Sequence, residues 1–182
     1  QALQGHYWGN GFLSANFQGV QFRNQGDPVV YVSNPPGVSG KTRRELIDAM
    51  QELNRKQLGT LGDPAIATYI DNYELAFRMQ SAAPELIDLS KEDPKTLEAY
   101  GVNREDLKVN AQRAGGPGQY KSFATNCLLA RRLVERGVRF VNVVHASWDH
   151  HSNLDNELTF NAGMADQPIA ALIKDLKQRG ML

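Results

Sequence analysis

Val138-Arg139-Phe140-Val141-Asn142-Val143-Val144-His145 followed by Ala146-Ser147-Trp148-Asp149-His150-His151 is the stretch on which the reading of this chain turns. Its first eight residues are apolar on both faces at several positions, the pattern of a central parallel strand covered by helices. A strand of that kind runs here straight into metal-capable side chains. In an open α/β sheet, ligands collect just beyond the carboxyl ends of the strands. Three of the chain's four histidines fall between positions 145 and 151, with Asp149 among them.

Outward from this segment, the pattern is helical on both sides. Tyr120, Phe123, Cys127, Ala130 and Val134 mark one face of a helix that should stop at Gly137. After the histidines, Leu158, Ala162, Ala165, Ile169, Leu172, Ile173 and Leu176 define a long amphipathic helix. Pro168 is expected to kink or split it, and Lys174, Lys177 and Arg179 suit its carboxyl end. Residues 119–182 therefore read as a helix-strand-helix unit.

Residues 42–101 read as a helical segment. Leu46, Met50, Leu53 and Leu58 recur at near-helical spacing. Arg43, Arg44, Arg55 and Lys56 alternate with Glu45, Asp48 and Glu52, which suits a solvated face better than an anion site. Asp63-Pro64 starts a second helix with Ile66, Ile70, Tyr73 and Phe77 as its inner stripe. The two form an αα-hairpin turning near Leu61-Gly62, and Pro84 ends it. Asp93-Pro94 opens a short helix closed by Tyr100-Gly101. Gly115-Gly116-Pro117-Gly118 lacks the lysine and preceding strand of a phosphate loop, so it reads as a connector. Residues 1–41 hold two β-like pieces, Val20-Gln21-Phe22 and Val29-Val30-Tyr31-Val32, in otherwise irregular chain anchored by Tyr7, Trp8, Phe12 and Phe17. The aromatic run Gly5-His6-Tyr7-Trp8-Gly9-Asn10 suits packing of a long loop, with a pocket lining as the other reading.

Composition bounds the function. At 182 residues, 41% hydrophobic and 22% charged, the chain suits one ordinary globular domain. Twenty basic residues balance twenty acidic ones, which offers no electrostatic footprint for nucleic acid. No apolar run reaches the roughly 18 residues of a membrane span. The single cysteine, Cys127, excludes an internal disulfide and reads as a small buried hydrophobe. Starting on Gln1 and stopping just after a helix, where a parallel strand should follow, the chain is expected to be an internal piece of a longer protein.

A divalent ion needs lone pairs held at fixed geometry, and imidazole nitrogen and carboxylate oxygen supply them for zinc, manganese or iron. Residues two apart in an extended or turning segment point to the same side. Asp149 and His151 could therefore chelate one ion together, with His145 as a further ligand or as a group orienting one. The bland alternative is a polar loop in which Asp149 caps backbone amides and the histidines are solvated. Ser147 near His145 and Asp149 lacks a nucleophile-elbow context and does not read as a triad.

Several segments together carry a resemblance: Gly9-Asn10-Gly11-Phe12-Leu13, Gln51-Glu52-Leu53-Asn54-Arg55, Tyr73-Glu74-Leu75-Ala76-Phe77-Arg78-Met79-Gln80, Leu129-Ala130-Arg131-Arg132-Leu133-Val134-Glu135-Arg136-Gly137-Val138-Arg139-Phe140-Val141, Trp148-Asp149-His150-His151 and Asp166-Gln167-Pro168-Ile169-Ala170-Ala171-Leu172-Ile173-Lys174-Asp175-Leu176-Lys177. In this order they resemble the sulfatase-like domain-of-unknown-function family 1501, placed in the alkaline phosphatase superfamily. The resemblance implies a three-layer α/β/α sandwich around a mainly parallel sheet, and metal-assisted hydrolysis of a phosphate or sulfate ester on a small molecule or carbohydrate. It implies an exported bacterial protein, often with a twin-arginine-type leader. The family's Trp-Asp-x-His pattern falls on Trp148, Asp149 and His151, making the last two the implied ligands of a divalent metal, with zinc, manganese and calcium as candidates. The family's early Asn-Gly-Gly-Pro-type segment and later Gly-Glu-Phe-Gly-Arg segment are not in this chain, so the piece alone is expected to be inactive. The rival expectation is a non-catalytic exported binding or scaffold protein that keeps the fold.

Overall fold

The computed structural model describes residues 13, 19–22, 34–63, 66, 70, 73–74, 77, 85–111 and 117–182. Two compact units divide the chain, Gln1–Ile87 and Asp88–Leu182. The described residues are helix-rich and contain no strand. The aromatic run at 5–10, the β-like piece at 29–32 and the break at Pro84 lie outside the described residues. Residues 20–22 are in no strand.

In the first unit, α1 spans Gly40–Leu61. Ser39 starts it: its hydroxyl accepts the Thr42 N–H at 3.0 Å, the usual way to satisfy an orphan amide of a helix start. Gly62, at φ 66°, ends it by donating its N–H to the Leu58 carbonyl. The turn expected at Leu61-Gly62 is thus present. Residues 66, 70, 73, 74 and 77 are helical, as the second arm of the hairpin requires. Arg44 reaches Glu74 at 2.9 Å and stacks on Phe77, with its guanidinium carbon 4.9 Å from the ring centre. The inner face of α1 differs from the expected one. Ile47 and Gln51 are buried, whereas Leu46 and Leu53 are exposed. Gln51 donates its amide to Glu74 at 3.3 Å and accepts from Arg55 at 3.2 Å, so its burial is met by polar contacts. The charges around it pair along the surface, Arg44 with Asp48 and Lys56 with Glu52, as a solvated face does.

The second unit holds a short 3-10 turn, Leu89–Lys91, and three α-helices: α2, Pro94–Tyr100; α3, Gln119–Glu135; and α4, Leu154–Gln178. Asp93 caps α2 by accepting the Lys95 N–H, with proline next in the chain. Gly101, at φ 75°, closes it, and Gln167 from α4 donates to the Glu98 and Ala99 carbonyls. The start of α3 is capped from a distance. Asp106 accepts the backbone N–H groups of Gly118, Gln119 and Tyr120 at 2.6, 3.2 and 2.8 Å, which satisfies orphan donors and sets a negative charge at the positive end of the helix.

Helices α3 and α4 pack closely, with α2 against both. The core is Tyr100, Val102, Tyr120, Phe123, Ala124, Cys127, Leu128, Phe160, Met164, Ala165 and Ala171. Burying each of its larger side chains contributes about 1.5–3 kcal/mol. The inner stripe of α4 runs through Phe160, Met164, Pro168 and Ala171, while Leu158, Ile169 and Ile173 stay exposed. Pro168 does not split the helix, which is continuous across it. A mid-helix proline costs one backbone hydrogen bond and about 3 kcal/mol, and here the burial of its ring offsets part of that cost. A buried ionic cluster ties α3 to the rest. Arg131 pairs with Glu92 at 2.8 Å, Glu135 at 2.6 Å and Asp175 at 3.3 Å, and Tyr100 donates its hydroxyl to Asp175 at 3.0 Å.

Residues 138–145 are where the structure departs most from expectation. They follow the left-handed Gly137 (φ 85°) that ends α3, but they form no strand. Strand pairing needs the backbone edge of another strand, and the described residues present none. A two-residue alternation survives: Val141, Val143 and His145 are half-buried, and Asn142, Val144 and Ala146 are exposed. Val143 packs on the helical core, whereas Phe140 is 86% exposed.

Candidate metal-binding loop

The loop between Gly137 and α4 turns sharply at Ser147, whose φ of 71° lies in the left-handed region. Few non-glycine residues adopt it without a local hydrogen bond to hold them. Asn161, one turn beyond Glu157 on α4 and 0% exposed, donates its amide to the Ser147 carbonyl. The far end of the loop is held by Asn153, also left-handed at φ 51°. Its amide donates to the Asn110 carbonyl, and its own carbonyl oxygen accepts from Asn156 at 2.9 Å. Asp155 and Glu157 follow in the first turn of α4, where negative charge is favoured.

Between these anchors, Asp149 and His151 converge. A carboxylate oxygen of Asp149 lies 3.0 Å from Nε2 of His151, with the side chains 82% and 63% exposed. The spacing of two has brought both to one side. His145 is elsewhere. Its ring packs between Phe123, 5.1 Å away, and Trp148, 5.2 Å away and edge-on, and burial lowers its pKa below 6.5. His150 stands edge-on to Trp148 at 6.4 Å. Trp148 therefore pins the loop through the two histidine rings while itself remaining largely exposed.

The donor set fits a divalent metal in part. One carboxylate oxygen and one imidazole nitrogen suit zinc, manganese or iron better than calcium, which takes oxygen ligands. Among the described residues no group of three or more histidines, cysteines and acids gathers for a metal. His145 is thus not brought to the pair, which would supply at most two ligands of a shell that needs four or more. Cys127 offers no alternative chemistry: it is buried, and desolvation pushes its thiol up to about 11.

Sequence reasoning missed Asn161 and the two left-handed residues. Both turn positions are occupied by types prone to local backbone bonding, serine and asparagine, but nothing in that composition says which carbonyl a buried amide will hold.

The family model for DUF1501, described as a protein of unknown function, matches residues 1–182. The chain belongs to DUF1501. No curated protein matches it, and no solved structure does. Among the described residues no helix is long and apolar enough to cross a membrane.

Proposed function

We propose that this DUF1501 chain carries one arm of the metal centre of a phosphate- or sulfate-ester hydrolase, on a sulfatase-like α/β/α scaffold of the alkaline phosphatase superfamily. The observation that supports the reading is the convergence of Asp149 and His151 at 3.0 Å on an exposed loop. The carboxylate offers an oxygen and the imidazole a nitrogen, both open to solvent and to a substrate of small-molecule or carbohydrate type. Trp148 and Asn161 hold the loop so that the pair stays together. Asp149 and His151 would be the residues here that hold a divalent ion, and the chemistry that ion would supply is Lewis acidity toward the ester. The remaining ligands and the nucleophile come from elsewhere in the parent protein, which we place outside the cytoplasm, in line with the export implied by the resemblance.

Calorimetric titration of the chain with Zn²⁺ and Mn²⁺ tests the ligand pair. Binding that is abolished by Asp149→Ala and by His151→Ala supports it, and binding unchanged in both variants removes these residues from any site. Turnover of p-nitrophenyl phosphate against p-nitrophenyl sulfate by the parent protein then decides the ester. A second reading, a non-catalytic binding or scaffold protein, draws on the exposure of Val138, Phe140, Val144 and Trp148. An apolar strip of this kind marks a surface that meets protein. A parent that binds no metal and turns over neither ester favours that reading.

A further inference from the structure

Resting on the metal reading of the Asp149–His151 pair, we infer that Asn161 is a positioning residue that holds the Ser147 carbonyl in the left-handed turn from which both ligands converge on a divalent cation. Three observations meet at this side chain. It is completely buried, yet it is polar and lies on the packed face of α4 between Glu157 and Met164. Its amide nitrogen spends a hydrogen bond on a loop carbonyl 14 residues away in sequence. The residue it holds, Ser147, sits at φ 71°, a conformation that is strained for a non-glycine residue and needs support from its surroundings.

Burying an amide costs free energy unless its polar atoms are bonded. Asn161 meets that demand on the nitrogen side through Ser147, while its carbonyl oxygen has no hydrogen-bond partner among the described residues. An apolar side chain there would fill the same space at lower cost, so core packing alone gives no reason for an asparagine. Holding the turn does. Ser147 is two residues before Asp149, so any swing of its peptide redirects the first ligand. Residues that orient ligands from behind typically contribute about 10–100-fold to metal affinity.

The test compares the chain with Asn161→Ala and Asn161→Asp, the second of which keeps the side-chain shape and removes the N–H donor. Hydrogen exchange of peptides covering 146–151 should accelerate at least about tenfold in both, in proportion to the stability lost locally, with α3 (119–135) unchanged. Zn²⁺ or Mn²⁺ affinity should fall about 10–100-fold. Adding Ser147→Gly to Asn161→Ala should recover part of that affinity, because glycine adopts the left-handed region without steric cost. A purely structural asparagine would show no such rescue. Should Asn161→Ala not fold, Asn161→Asp carries the same readings. Exchange over 146–151 matching wild type overturns the inference, and so does unchanged affinity in a loosened loop. Binding of neither ion by the protein with its full ligand set removes the metal reading itself, and with it the ligand half of this inference. The exchange comparison still decides whether Asn161 holds the turn.

Discussion

Helix α3 and the fourteen residues after Gly137 are both rich in apolar side chains, yet they end in different states. In α3, Tyr120, Phe123, Ala124, Cys127 and Leu128 are buried, and every backbone bond of the helix interior closes within the element itself. Residues 138–151 have apolar side chains at comparable density but make no ladder, and Phe140 and Val144 face solvent. The difference is one of hydrogen-bond range. A helix satisfies its own amides and carbonyls, while a strand must borrow a partner's edge. Apolar sequence therefore turns into core in the first case without help, and in the second only as far as Val143 reaches the helices.

The contrast makes its largest prediction at paired core and loop positions. Leu128 is 0% exposed and sits between α3's neighbours in the core, so Leu128→Ala should cost about 2–5 kcal/mol in urea unfolding. Phe140→Ser should stay within about 0.5 kcal/mol, the range for surface changes away from special features. A large loss at Phe140 would mean that a partner covers the 138–145 strip in solution, and the comparison would fail at its second half.

A finer probe asks how tightly the α3–α4 contact is fitted. A Cβ added at Gly163 would lie 2.7 Å from the Tyr120 hydroxyl, which is itself engaged, donating to the Phe160 carbonyl at 2.9 Å. Gly163→Ala should gain up to about 1 kcal/mol in helix propensity and lose more, about 1–3 kcal/mol, to overpacking. The next-nearest ring atom is 3.7 Å away, so Tyr120→Phe removes the clash. The double variant should therefore be more stable than the sum of the two single changes predicts, by about 0.5–3 kcal/mol. Strict additivity would show that the interface yields to the extra methyl.

What was legible in the sequence follows the same division. Asp93-Pro94 and Gly101 mark the two ends of α2, and Gly137 marks the stop after α3, because caps are local chemistry written in adjacent residues. Cys127 falls on the buried stripe for the same reason. The rotations of α1 and α4 were legible only in part: Met50 and Leu58 are half-buried and Ala165 and Leu172 reach the core, whereas Leu46, Leu53, Leu158, Ile169 and Ile173 stay exposed. Both helices carry apolar residues over a wide arc, and the groups met on the inner side lie far off in the sequence: Glu74 at Gln51, and Tyr120 at Phe160. In the loop, the i, i+2 spacing was enough to pair Asp149 with His151. It could not separate His145 from them, because that depended on Phe123, 22 positions earlier, offering its ring.

His145 stands on the border between the two regions and gives the smallest, most pointed test. Burial against Phe123 and Trp148 lowers its pKa below the 6.5 of a free histidine. The folded chain thus resists protonation there while the unfolded chain accepts it. Stability rises with pH wherever the unfolded state binds more protons, so the contribution is complete above pH 6.5 and is lost as the pH falls through the folded value. Denaturant unfolding in a chelator-containing buffer, followed from pH 7.5 down to about 5, where carboxylates begin to titrate, should show wild type losing stability faster than His145→Phe. The other loop groups, Asp149, His150 and His151, remain in both chains and cancel in the difference. Parallel curves would place His145 in water rather than against the core, and would move the border of the packed unit back to Val143.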